Sequence, residues 1–180
     1  MGASGWHYFT PYRPDVAEAL EPLRRDVFAR GEYGHTMSKP IVYPPEYLAS
    51  LSPAERQRTE AFLKEMGELR RQWMELQAAK GLPEPRTIEE ALDQAAELGT
   101  HSILDIFNGI SAGRDFATAF PMPEQVMFER YGTTRPSRAQ VEAARRRMTG
   151  DGLGRWECHY AVVYEDGRPS ELYFEGCSGD

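Results

Sequence analysis

The stretch that decides the fold runs from Trp156 to Glu175: Trp156-Glu-Cys-His-Tyr-Ala-Val-Val-Tyr-Glu165, Asp166-Gly-Arg-Pro169, then Ser170-Glu-Leu-Tyr-Phe-Glu175. Two β-branched and aromatic runs flank Asp166-Gly167, the strongest short-range signal for a hairpin. A two-residue loop would put Pro169 opposite Tyr164. A four-residue loop, Asp166 to Pro169, keeps proline out of the ladder, pairs Val163 with Leu172, and is the expected register. Either register predicts the same faces, because strand side chains alternate. One face then carries His159, Ala161, Val163, Leu172 and Phe174. The other carries Trp156, Cys158, Tyr160, Val162, Tyr164 and Tyr173, edged by Glu171 and Glu175.

Working outward, four segments carry helix-start signals. Asp15 with Glu18 opens a helix whose stripe is Val16, Ala19, Leu20, Leu23 and Val27, ending at Gly31. Ser52-Pro53 with Glu55 opens a long helix to about Ala79, stopped by Gly81 and Pro83. Thr87 with Glu90 opens a third, and Ser137 with Gln140 opens one from Arg138 to Met148; a short helix is expected over Pro123 to Tyr131. Trp6 to Tyr12 is read as an edge strand because Pro11 interrupts an aromatic run, and Met1 to Gly5 as a flexible leader. Ser102 to Phe107 is read as a buried strand, apolar on both faces except at Asp105. Residues 31–51, rich in Pro and Tyr, are expected to form a long loop. These elements predict a single α+β domain over residues 1–180. It has a mostly antiparallel sheet of about four strands, with four or five helices largely on one face.

Composition narrows the function classes. The 180 residues carry a net charge of −7, which disfavours nucleic acid as a partner. No apolar run is long enough to span a bilayer, and the first residues lack the basic and apolar regions of a signal peptide. A cytoplasmic protein with no membrane association is expected. Eighteen Arg against three Lys, with one Asn, is the footprint of a GC-rich bacterial genome.

The leading expectation is a protein-binding or regulatory protein, immunity-protein-like and without catalysis of its own. Its partner would be a basic protein, met by the face of Trp156, Tyr160, Tyr164, Glu171, Tyr173 and Glu175. A homodimer seam is a second candidate surface, because Phe62, Met66, Leu69, Trp73 and Leu76 are spaced four, three, four, three.

Two other readings have named residues. A small enzyme would place its pocket between the 31–51 loop and the strand end at 101–115, with His101, Asp105 and Arg114 as acid, base or anion-holding groups. A redox switch would use Cys158 and Cys177, which face each other in the four-residue-loop register. His7 and His159 come near one another if the first strand pairs with the hairpin, but no metal-ligand spacing accompanies them. The glycines of Asn108 to Asp115 follow neither phosphate-loop pattern. No metal and no cofactor is implied.

Overall fold

The computed structural model describes residues 5–33, 43–79, 85–145 and 153–178. Its elements, in chain order, begin with strand β1 (Gly5–Pro11) and helices α1 (Val16–Ala29), α2 (Pro45–Ser50), α3 (Pro53–Ala79) and α4 (Ile88–Leu98). A 3-10 turn (Ile103–Asp105) leads to strand β2 (Thr118–Pro121), helices α5 (Glu124–Tyr131) and α6 (Arg138–Arg145), and the hairpin β3 (Glu157–Glu165) and β4 (Arg168–Cys177). The contacts group into two compact units, Met1–Tyr33 with Pro85–Asp180, and Gly34–Glu84.

The first unit holds the sheet, ordered β1-β4-β3-β2. β1 and β3 both pair with β4 antiparallel, while β2 joins β3 in parallel. The α+β class and the mostly antiparallel four-stranded sheet are therefore as expected, with β1 at an edge. Gly5 belongs to β1 and not to a leader.

The hairpin register differs from the expected one. Asp166 (φ 49°) and Gly167 (φ 76°) form a two-residue turn with both residues in the left-handed region, the type whose twist matches flanking strands. Glu165 pairs with Arg168 and Tyr164 with Pro169, after which the ladder shifts and Val163 pairs with Glu171. Ser170 is the extra residue of this bulge, and its hydroxyl donates to the Val163 carbonyl at 3.2 Å. One inserted residue reverses the face of every later β4 side chain.

The inside of the sheet is re-sorted accordingly. Cys158, Leu172 and Phe174 share one core with Trp6, with Leu20, Leu23 and Val27 of α1, and with Ala91 and Ala95 of α4. Ala161, Val163 and Tyr173 share the other with Met122, with Met127 and Tyr131 of α5, and with Val141 of α6. Helices therefore cover both faces of the sheet, α1 and α4 on one and α5 and α6 on the other.

Helix starts follow the sequence signals closely. Asp15 accepts from the Ala17 N–H at 2.9 Å, Thr87 from the Glu90 N–H at 3.3 Å, and Ser137 exchanges bonds with Gln140. Such caps contribute about 1 kcal/mol each, small beside burial of an α1 side chain such as Leu20 at roughly 1.5–3 kcal/mol.

Residues 102–107 are not a strand. Ser102 accepts from the Leu104 N–H, and buried Asp105 accepts from both the amide and the hydroxyl of Thr100, the latter at 2.8 Å. These local side-chain bonds outcompete a sheet ladder, and they curl Ile103–Asp105 into a 3-10 turn. The fourth strand is instead β2, whose outer edge is covered by a parallel bridge between Ile110 and Ala119.

In the second unit, the expected 31–51 loop contains α2, while residues 34–42 lie outside the described residues. Ser52 and Glu55 close the capping box of α3, and Arg56 donates to the Leu48 carbonyl at 3.1 Å, tying α3 to the end of α2. Among the described residues, no helix is long and apolar enough to cross a membrane.

Candidate functional site

The richest polar constellation lies on the α5/α6 face. β4 stands between β1 and β3, so Glu175 pairs with His7 on one side and His159 on the other. The two histidines thus share a face but are two strand spacings apart, roughly 10 Å. Arg130 of α5 reaches down to Glu175, its Nη1 at 3.0 Å from both carboxylate oxygens. Their side chains are only 6% and 11% exposed, so the attraction acts in a poorly solvated setting. The Tyr173 hydroxyl also hydrogen-bonds Glu175, and burial together with that carboxylate pushes its pKa upward, so it stays protonated.

At the sheet edge, Arg145 of α6 sits 2.8 Å from His7 Nδ1. A guanidinium only donates, so His7 accepts through Nδ1 and is neutral there. Burial, then the Arg145 charge, lowers its pKa. Arg138 of α6 lies over the Phe9 ring at 4.2 Å and donates to Glu171 at 2.6 Å. A crevice between Arg130, Arg145 and Tyr173 has room for about one water molecule. Among the described residues, no three His, Cys, Asp or Glu side chains gather to hold a metal ion.

The six residues expected to form one binding face are divided. Tyr173 is buried, with Glu175, under α5 and α6. Tyr160 is half-buried against the opposite core. Tyr164 lies under the Arg135 guanidinium at 4.9 Å, and Glu171 is engaged by Arg138. Trp156, in the left-handed region at φ 57°, packs against Phe116, which in turn meets Phe107 edge-on. Phe116 is 54% exposed and makes this an aromatic corner that the hairpin pattern alone did not reveal.

The cysteines are also displaced from their expected opposition. Cys158 pairs with Gly176 and Cys177 with Glu157, so neighbouring positions on opposite faces replace a facing pair, and no disulfide joins the two. Burial raises the Cys158 thiol well above its ordinary pKa.

Of the enzyme candidates, Asp105 is fully buried, and burial raises its pKa against the Thr100 and Ser178 hydrogen bonds that oppose the shift. His101 follows Thr100 at φ 51° and lies close enough to act on Asp105 electrostatically. Arg114 is committed elsewhere: its Nε lies 2.6 Å from Glu157, and that contact lowers the Glu157 pKa. Of the proposed dimer seam, Phe62 is exposed and Met66 half-buried, while the side chains of Leu69, Trp73 and Leu76 lie outside the described ones.

A further surface lies on α4. Ala91 and Ala95 turn α4 onto the core, which leaves Glu89, Asp93 and Glu97 in line on its exposed side, each four residues from the next. Asp93 and Glu97 form no salt bridge among the described residues, while Glu89 hydrogen-bonds its own backbone and Thr87, and these bonds, with the Arg25 charge, lower its pKa. Glu90 beside them is engaged by the Arg86 N–H at 2.7 Å.

No family model, curated protein or solved structure matches the chain.

Proposed function

We propose that the protein is a small acidic binding protein, regulatory or immunity-like, whose partner is a basic protein docking on α4. The supporting observation is the row Glu89, Asp93 and Glu97. Like charges four residues apart cost a helix about 0.2–0.5 kcal/mol per pair, and Glu97 stands in the last turn, where the helix dipole disfavours a carboxylate. α4 ends without a basic residue in that turn. A cationic partner relieves both penalties and is steered by the field of the row.

The proposal is tested by isolating the protein from its own cells, alongside a variant carrying Glu89→Lys, Asp93→Lys and Glu97→Lys. A basic protein recovered with the native chain and lost from the variant, itself isolated in the same way and equally helical, supports it. A partner of acidic character, or one retained by the variant, contradicts it.

A further inference from the structure

β1 and β2 are the two edge strands of the sheet. The Tyr12 N–H donates to the Ser170 carbonyl at 3.0 Å, which fixes the phase of the β1–β4 ladder. In that phase Trp6, Tyr8 and Thr10 exchange main-chain bonds with β4, and Gly5, His7 and Phe9 turn their N–H and C=O groups outward. Pro11 falls in the outward set, where its missing N–H costs the ladder nothing.

The two sheet edges are treated differently. β2 is four residues long, ends in Pro121, and has its outer side occupied by residues 109–111: the Ala119 N–H donates to Gly109 and the Ser111 N–H to Ala119. β1 is seven residues long and carries no charged side chain. Nor is any bulge present in its register with β4. Short length, charge, bulges and cover are the usual protections of an edge. Among the described residues, β1 pairs with β4 alone.

We propose that β1 accepts an extended peptide segment as a fifth strand, and that the segment carries a carboxylate opposite His7. A residue paired with His7 projects its side chain onto the same face, beside the imidazole and the exposed Arg145 guanidinium. His7 is neutral with Nδ1 occupied by Arg145, so its Nε2–H remains a donor of the correct polarity. An acidic side chain there meets two donors and a positive charge. A second copy of this chain fits less well, because two-fold pairing about His7 brings one Arg145 toward the other. Main-chain bonds supply affinity and the carboxylate supplies selectivity, as in other strand-addition sites.

The test uses a capped, strand-forming heptapeptide with glutamate at its centre, and the same peptide with lysine there or with alternate amides N-methylated. Amide NMR of the full chain is the readout. The glutamate peptide is expected to shift and protect the Gly5, His7 and Phe9 amides. It should bind about fivefold more tightly than the lysine peptide, the upper range for one exposed ion pair. N-methylation should abolish binding, and Arg145→Glu should reverse the peptide preference. Edge amides unmoved by every peptide, amides already protected in the free monomer, or protection that appears only as the chain dimerises would each overturn the proposal.

Discussion

Gly176 lies directly beneath the indole of Trp6: a Cβ at position 176 would overlap the six-membered ring of Trp6. The two are paired across β4 and β1, and Trp6 is buried in the core shared with α1 and α4. Glycine is needed here for space alone. Gly176→Ala should therefore destabilise the chain by about 1–3 kcal/mol, the usual cost of overpacking. Urea unfolding should show a much smaller penalty for the same change in a Trp6→Leu background. Equal penalties in both backgrounds would mean the indole is not the obstacle.

The Arg130–Glu175 pair behaves as a unit. Removing one partner leaves a buried charge uncompensated, so Arg130→Met or Glu175→Leu alone should cost about 3–5 kcal/mol. The double variant should recover most of that loss, because two apolar side chains of similar size replace the pair. Additive losses in a double-mutant cycle would show that the two groups do not depend on each other.

Asp105 makes stability depend on pH with a definite sign. Its folded pKa is raised by burial, so the folded state holds the proton more tightly than the unfolded state. The stability it contributes is complete below the unfolded aspartate pKa, about 4, and is lost as pH rises through the folded value. Asp105→Asn, which still accepts from Thr100, should gain on the native chain between pH 4 and pH 7. Asp105→Ala should lose about 1–3 kcal/mol by stranding the Thr100 N–H. Urea midpoints at the two pH values decide both expectations.

The two thiols should differ in reactivity without forming a bridge. Cys177 is half-buried at the sheet end, whereas Cys158 is fully buried with a raised pKa, and the thiolate is the reactive form. A thiol reagent should therefore modify Cys177 in the folded protein and Cys158 only on unfolding. Cys177→Ser should remove the fast phase. A loss of two hydrogens under mild oxidation would contradict the separation of the pair across the sheet.

Much of this architecture was readable because it is local. Asp15, Ser52, Thr87 and Ser137 announce helix starts through bonds to residues two or three positions on, and Asp166-Gly167 announces its turn the same way. The structure departs from the sequence pattern where one residue or one side-chain bond decides and no periodicity announces it. Ile103 and Leu104 are as apolar as any buried strand, and only the Thr100–Asp105 bonds make them a turn. β2 is four residues of Thr, Ala, Phe and Pro, too short for periodicity to show. The Ser170 bulge is a single residue, yet it moves Tyr173 and Glu175 to the other face and draws Cys158 away from Cys177. The row on α4 is local as well: Glu89, Asp93 and Glu97 recur at the fourth-residue spacing that keeps one helix face.

Binding of a basic partner through α4 is tested most directly by titrating the full chain with a lysine-rich peptide and following backbone amides by NMR at low and high salt. The proposal predicts shifts centred on Glu89, Asp93 and Glu97, weakening as salt rises and absent when all three are changed to lysine. Shifts scattered over the surface, or unchanged in the triple variant, would contradict it.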